Sequence, residues 1–199
     1  MSAPPVFYFD LGSPYAYLAA ERLGRLIPSA RWQPILLGGL FKLTGRSSWG
    51  TGPGRADGMA EVERRAAAYG LPPVRWPDPW PGNMLAVMRA ATFAAREGRG
   101  VAFAIAAFRR AFAAGEDLGS PEPVLAAAAD AGLDPARVRA AIADQAVKDA
   151  LRQATEDAHA RGVTGVPTLR AGDRLHWGDD RLDAAARSLA GLTAGSTYS

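Results

Sequence analysis

The chain of 199 residues contains no cysteine. It can therefore form no disulfide, hold no thiolate-ligated metal and carry no redox-active sulfur of its own. Histidine is nearly as scarce. Only His159 and His176 are present, which argues against a zinc site and leaves few bases for a Ser-His-Asp hydrolase. Lysine is confined to Lys42 and Lys148, so the net charge of +3 rests on arginine. The arginines spread along the chain instead of clustering in a stripe, and no nucleic-acid partner is expected. No apolar run approaches the roughly 20 residues needed to span a bilayer, so no membrane partner is expected either. The opening Met1-Ser2-Ala3-Pro4-Pro5 lacks the basic side chain of a secretory signal, which makes the cytoplasm the expected location.

What is present suits a soluble globule: 48% hydrophobic and 22% charged residues, enough to bury a core. The length suits one domain, or one domain with a sizeable insertion. Residues 6–11 are apolar and aromatic and predict a buried strand. Ser13-Pro14 then predicts a helix start, with serine as cap and proline at the first helical position. Tyr15, Leu18, Ala19 and Leu26 fall near helical spacing. Residues 30–37 predict a second strand ended by Gly38-Gly39. Residues 45–58 are rich in Gly, Ser and Pro and read as a mobile lid. Gly50-Thr51-Gly52-Pro53-Gly54 lacks the Gly-Lys-Ser/Thr ending of a phosphate loop. A helix over 59–69 stops at Gly70-Leu71-Pro72-Pro73. Asn83 caps the first of several helices that run to about Arg161, with breaks at Gly98, 115–121 and 132–135. Within them Val101, Ile105, Phe108 and Phe112 form one apolar stripe. Short strands are expected at 167–169 and 174–177, a last helix from Asp180, and frayed residues over 193–199.

That order is strand, helix, strand, helical block, two strands, helix. It predicts an α/β chain with a thioredoxin fold and a large helical insertion of the DsbA-like kind. Residues 1–45 and 162–199 would form the discontinuous thioredoxin-like domain, and 46–161 the loop and helical insertion. A redox enzyme of this fold places Cys-x-x-Cys at the start of the first helix, facing a cis-proline. Here those places hold Ser13-Pro14-Tyr15-Ala16 and Val166-Pro167. Any thiol chemistry must use a borrowed thiol.

Ser13 alone is most simply a helix cap; its combination with Val166-Pro167 favours a functional role. A helix N-terminus offers unpaired N–H groups and partial positive charge, which suit a thiolate, and a serine hydroxyl adds one neutral donor. The Val166–Pro167 bond is expected to be cis and to face the start of the Ser13 helix. That arrangement frees the Val166 backbone to pair with an extended, peptide-like ligand. Asp179 and Asp180 either cap the final helix or send one carboxylate toward Ser13 to bind an ammonium group. Trp49, Trp76, Trp80 and Phe41 are candidates for an aromatic pocket, although aromatics in such segments are more often core. His159 is expected to be solvated, and His176 to sit in the core or at its rim.

Five segments share an order with one family. They are Phe9-Asp10-x-x-Ser13-Pro14-Tyr15-Ala16-Tyr17-Leu18-Ala19, Leu37-Gly38-Gly39-Leu40-Phe41-Lys42-x-Thr44-Gly45, Asn83-x-Leu85-Ala86-x-x-Arg89-Ala90, Gly162-Val163-x-Gly165-Val166-Pro167-Thr168 and Trp177-Gly178-x-Asp180-Arg181-Leu182. On these the chain resembles the 2-hydroxychromene-2-carboxylate isomerase and kappa-class glutathione transferase family. The resemblance implies that Ser13 contacts the sulfur of glutathione or another low-molecular-weight thiol. It implies that the Val166 backbone pairs with the cysteinyl unit beside cis-Pro167, and that Asp179 and Asp180 hold its γ-glutamyl end. Arg46 stands where the family often has asparagine, and Arg55 lies nearest the family's loop lysine. Either is available to hold the glycine carboxylate or the substrate carboxylate. Tyr15, Asn83 and Trp177 are expected on the side of a small aromatic substrate. The implied reaction is isomerisation of a conjugated aromatic 2-oxo acid by reversible thiolate addition, without a metal. The alternatives are a kappa-like transferase or peroxidase and a non-catalytic binding module. A homodimer is implied as well.

Overall fold

The computed structural model describes residues 3–194. At its centre is β1 (Val6–Phe9), a strand buried at every position. Such a strand needs neighbours on both edges and cover on both faces. Its edges pair with β2 (Arg31–Pro34) in parallel and with β3 (Thr168–Ala171) antiparallel; β4 (Arg174–Trp177) then pairs antiparallel with β3. The sheet order is β2-β1-β3-β4, with β3 lying beside β1. Alternation splits β1 between two cores. Phe7 and Phe9 belong to the large one, whereas Val6 and Tyr8 join Ile35, Leu40, Val163 and Val166 in a smaller one.

Nine α-helices lie among the described residues: α1 (Pro14–Leu26), α2 (Leu37–Thr44), α3 (Arg55–Ala68), α4 (Leu85–Arg96), α5 (Gly100–Phe112), α6 (Pro121–Asp130), α7 (Pro135–Ala143), α8 (Gln145–Ala160) and α9 (Leu182–Ala194). None is long and apolar enough to cross a membrane. Short 3₁₀ turns occupy Trp49–Thr51 and Asp179–Arg181. The segment 46–161 shares the large core with the sheet. Phe108 sits 5.9 Å from Phe9 between ring centres, and Phe112 stacks on Tyr17 at 5.6 Å. Burying each such ring contributes about 1.5–3 kcal/mol.

Several expectations need correction. β1 ends at Phe9, and β2 at Pro34. Gly38-Gly39 does not end a strand but lies in the first turn of α2. Two glycines cost a helix about 1 kcal/mol each relative to alanine. Distant groups offset that cost: Asp10 Oδ2 accepts from Leu37 N–H at 2.7 Å, and Thr155 Oγ1 accepts from Leu36 N–H at 2.9 Å. Gly39 also allows Thr155 to pack closely, since a Cβ there would lie 3.1 Å from Thr155 Cγ2. Helix α3 begins at Arg55, four residues before the expected start. In α5 the buried stripe runs through Phe103, Ala107, Phe108 and Phe112, and Val101 faces solvent. The chain enters α9 through a 3₁₀ turn, so that helix starts at Leu182. Of the residues expected to fray, 193 and 194 are helical and 195–199 lie outside the described residues.

Candidate active site

The turn between β1 and α1 is held from within. Asp10 Oδ1 accepts from Gly12 N–H at 2.8 Å, Asp10 C=O accepts from Ser13 N–H at 3.1 Å, and Trp80 Nε1 donates to Gly12 C=O at 3.2 Å. Gly12 is required there, since a Cβ would lie 2.6 Å from Met84 Cγ. Ser13 is the cap of α1: its Oγ accepts from Ala16 N–H at 3.2 Å, and Pro14 follows as the first helical residue. Among the described residues, neither the Ser13 hydroxyl proton nor the Tyr15 N–H has a protein acceptor. Two donors at a helix N-terminus are thus left for something else.

Asp10 also links the starts of two helices, because its second oxygen accepts from Leu37, the first residue of α2. It is almost fully buried, and burial pushes its carboxyl up to about 6, against the pull of the Leu37 and Gly12 N–H groups. The sequence reading quoted Asp10 within a motif but did not pick it as a site residue. Its signal was present: an acidic residue at the end of a buried strand, three positions before a capped helix.

The Val166–Pro167 bond is cis, as expected. The chain is pinned around it by Thr168 Oγ1, which donates to Gly165 C=O at 2.7 Å, and by Gly178 N–H, which donates to Pro167 C=O at 2.9 Å. Val166 itself is only 7% exposed, yet its N–H and C=O have no hydrogen-bond partner among the described residues. Backbone groups left open on a cavity wall offer an extended ligand an edge to pair with.

Ser13 and Val166 line the same cavity, of about 530 Å³. Tyr15, Arg46, Asn83 and Trp177 line it too, so the structure brings together most of the candidate residues. Arg46 donates to Thr164 C=O at 3.4 Å and lies 5.0 Å from the Trp177 ring. Asn83 does not cap by itself: its Oδ1 accepts from Leu85 N–H at 3.0 Å, one residue ahead of the cap position Met84. Lys42, Phe41, Trp49 and Trp80 complete a wall that is largely aromatic. Trp49 and Trp80 meet at 4.9 Å, Tyr15 reaches Trp49 at 5.9 Å, and Trp76 packs behind at 4.6 Å from Trp80. Residues 46–49 of the glycine-rich segment thus belong to this wall, and its glycines pack closely behind it. Gly50 is buried with a Cβ position 2.7 Å from Pro81, and the Gly58 Cβ position falls on the Trp49 ring. Two further cis bonds, Asp78–Pro79 and Trp80–Pro81, shape the opposite side.

Four candidates lie outside the cavity lining: Pro167, whose neighbour Val166 lines it, and Arg55, Asp179 and Asp180. Arg55 is committed to Trp80, donating to its C=O at 2.8 Å. Asp179 is 1% exposed, with Oδ1 accepting from Arg65 at 2.8 Å and Oδ2 from the Tyr69 hydroxyl at 2.8 Å. Burial and the Asp179 acceptor push the Tyr69 phenol up to about 12. Asp180 is half exposed, 4.0 Å from Arg65. Neither histidine lines the cavity; His176 is half-buried with Nε2 unpaired, and burial lowers its pKa.

A sheet of this order with a capped helix after β1 and a cis-proline leading into β3 defines the thioredoxin class. The chain belongs to the DSBA-like thioredoxin domain family, whose model matches residues 6–190, and within it to the 2-hydroxychromene-2-carboxylate isomerase branch. It is 31% identical over 190 residues to 2-hydroxychromene-2-carboxylate isomerase of Sphingobium xenophagum, covering 89% of this chain and 93% of that protein. The Pseudomonas putida enzyme of the same name is 28% identical over 191 residues, covering 88% and 89%. A solved 2-hydroxychromene-2-carboxylate isomerase superposes with a TM-score of 0.85 at 25% identity, covering 97% of each chain. A DsbA oxidoreductase of Streptomyces coelicolor shares the fold, with a TM-score of 0.74 over 94% of this chain and 89% of that one at 24% identity.

Proposed function

We propose that this protein is a thiol-dependent isomerase acting on a conjugated aromatic 2-oxo acid of the 2-hydroxychromene-2-carboxylate type. The observation that carries the proposal is the pairing of free donors on Ser13 and Tyr15 with the unpaired backbone edge of Val166, in one cavity of a cysteine-free chain. The names of the relatives support the substrate class.

The residues present fit a cysteinyl thiol such as that of glutathione. Val166 offers an N–H and a C=O to its amide, as an added strand would, and Ser13 and the start of α1 offer donors to its sulfur. When bound, the thiol supplies a nucleophile that adds reversibly to the conjugated double bond, which then rotates as a single bond and re-forms on elimination. A free thiol has a pKa of about 8.5 and is only a few per cent ionised at neutral pH. The Ser13 hydroxyl and the positive end of α1 shift that balance toward the thiolate. Trp49, Trp80 and Tyr15 give the aryl ring apolar surface and exclude water. Lys42 and Arg46, the cations of the lining, hold the substrate carboxylate.

The Ser13→Ala variant is the test. Loss of one preorganised donor should lower kcat about 10²-fold, and the ultraviolet absorbance of the bound thiolate should appear at higher pH. Equal turnover with unchanged thiol affinity would reduce Ser13 to a helix cap. Thiol stoichiometry separates the kappa-like alternative, since an isomerase returns its thiol and a transferase consumes it.

A further inference from the structure

Behind the sheet, on the face of β1 that carries Val6 and Tyr8, lies a separate cleft of about 500 Å³. Strand register builds one wall. Val6 pairs with Arg31 on β2 and with Arg170 on β3, so these two arginines flank β1 on one rung. Gln33 and Thr168 flank Tyr8 on the next. The opposite wall is α8, with Arg161 at its C-terminal end, and Arg96, the last residue of α4, closes one side.

The charges in this cleft are unbalanced. Arg31, Arg96, Arg161 and Arg170 line it, and Asp157 is its one carboxylate among the described residues. None of the four arginines forms an ion pair there, whereas Arg65 engages three carboxylates and Arg110 two. The hydrogen bonds they do make go to Gln33 Oε1 and to the backbone carbonyls of Ala146, Asp157 and Gly172. A guanidinium has five N–H donors, so most remain free. Asp157 is itself engaged by the Gln153 amide at 2.9 Å. One buried donor adds to the imbalance: Arg170 Nε is buried and unpaired. Tyr8 lines the cleft, and its hydroxyl has no protein partner among the described residues. An unmet buried donor is costly, and an acceptor-rich ligand in the cleft would offer partners to both groups.

We propose that this cleft binds a small polyanion with two or three clustered oxyanion charges, from phosphate or carboxylate groups. Forked guanidinium donors match both kinds of oxyanion, and charge-assisted hydrogen bonds are the strong ones. A net excess of three positive charges matches a ligand of that valence. The site is remote from Ser13 and shares no lining residue with the catalytic cavity.

Calorimetric titration with inorganic pyrophosphate and with citrate, at ionic strength held constant with sodium chloride, tests it. The expected result is saturable one-site binding that weakens at least tenfold in Arg31→Gln and in Arg170→Gln, and about threefold in Tyr8→Phe. Tighter binding of pyrophosphate would assign a phosphorylated ligand, and tighter binding of citrate a polycarboxylate. Arg96→Gln, on a helix end outside the sheet, should weaken binding similarly, which covers any sheet variant that fails to fold. Heats indistinguishable from sodium chloride would overturn the proposal. So would affinities unchanged in the arginine variants, or binding lost instead in Lys42→Gln, which would place the anion in the catalytic cavity. Thiol binding at Ser13, measured separately, stands or falls independently of all these outcomes.

Discussion

Asp10 and Asp179 are both almost fully buried carboxylates, yet they are embedded in opposite ways. Asp179 is surrounded by side chains from elsewhere in the chain, the Arg65 guanidinium and the Tyr69 hydroxyl of the α3 region. Its backbone C=O accepts from Arg22 of α1, whose guanidinium also stacks on Tyr69 at 3.8 Å and pairs with Asp183. This region ties α1, α3 and the start of α9 together, and every strong group in it is used. Asp10 has only backbone N–H partners and lies at the cavity. Around it the donors of Ser13 and Tyr15 are left open. Buried charge that closes on itself builds the scaffold; buried charge set beside open donors marks where a ligand works.

Removing Asp179 should give the largest effect. Asp179→Ala takes from Tyr69 its acceptor and from Arg65 one of its carboxylates, Glu61 remaining, and two hydrogen bonds to a charged group at about 1.5–3 kcal/mol each set the loss. Urea unfolding would read the loss, while thiol affinity per folded molecule should hold. A variant that kept its stability but lost thiol binding would erase the distinction between the two aspartates.

Asp10 should show itself through pH. Its folded pKa, about 6, lies above the unfolded value of 3.8. Between those values the folded state keeps a proton that the unfolded state has released. Stability from this group is therefore greatest below about pH 4, falls as pH rises toward 6, and levels off above it. Two pKa units correspond to about 3 kcal/mol. Urea midpoints across pH 4–7 for the wild type, taken as a difference from Asp10→Asn, should slope downward over that interval. A flat difference would mean that Asp10 does not feel its burial.

The contrast also explains what could be read from the sequence. Ser13-Pro14 and Val166-Pro167 were legible because capping and X-Pro chemistry are local, set by a residue and its neighbours. The helix at Gly38-Gly39 was not, because its N-terminus is held by Asp10 and Thr155, 27 and 119 positions away. Asp179 was left open between a helix cap and a ligand group for the same reason. Nothing near it in sequence indicates that Arg65 and Tyr69, 114 and 110 positions away, occupy both its oxygens. The aromatic wall fell between these cases: Trp49 and Trp80 were read as core more than as pocket and serve as both, and Gly50 and Gly58, read as part of a loose loop, are close packing.

That packing supplies a smaller test of the cavity side. Gly58→Ala would place a methyl group against the Trp49 ring, whose nearest carbon is a bare 2.3 Å from the Cβ position. Overpacking of this kind costs about 1–3 kcal/mol. Because Trp49 lines the cavity, the KM for an aromatic substrate should rise together with the loss of stability. Loss of stability at unchanged KM would show that the ring only supports the wall.

The smallest effect is expected at Arg46, where the cavity meets solvent. Its guanidinium lies 5.0 Å from the exposed Trp177 ring, and its hydrogen bond to Thr164 C=O is long at 3.4 Å. Exposed contacts of this type are worth about 0.5–1 kcal/mol, or roughly a two- to fivefold change in an equilibrium constant. Arg46→Gln should raise the KM for an anionic substrate by that factor and leave kcat alone, because the charge acts on binding in ground state and transition state alike. Salt should shrink the difference, since an exposed charge is screened over a Debye length of about 8 Å at physiological ionic strength. Arg46→Lys keeps the charge but loses the planar stack on Trp177, so it should fall between the two. An unchanged KM at low salt would remove Arg46 from the site and leave Lys42 as the cation that receives the carboxylate.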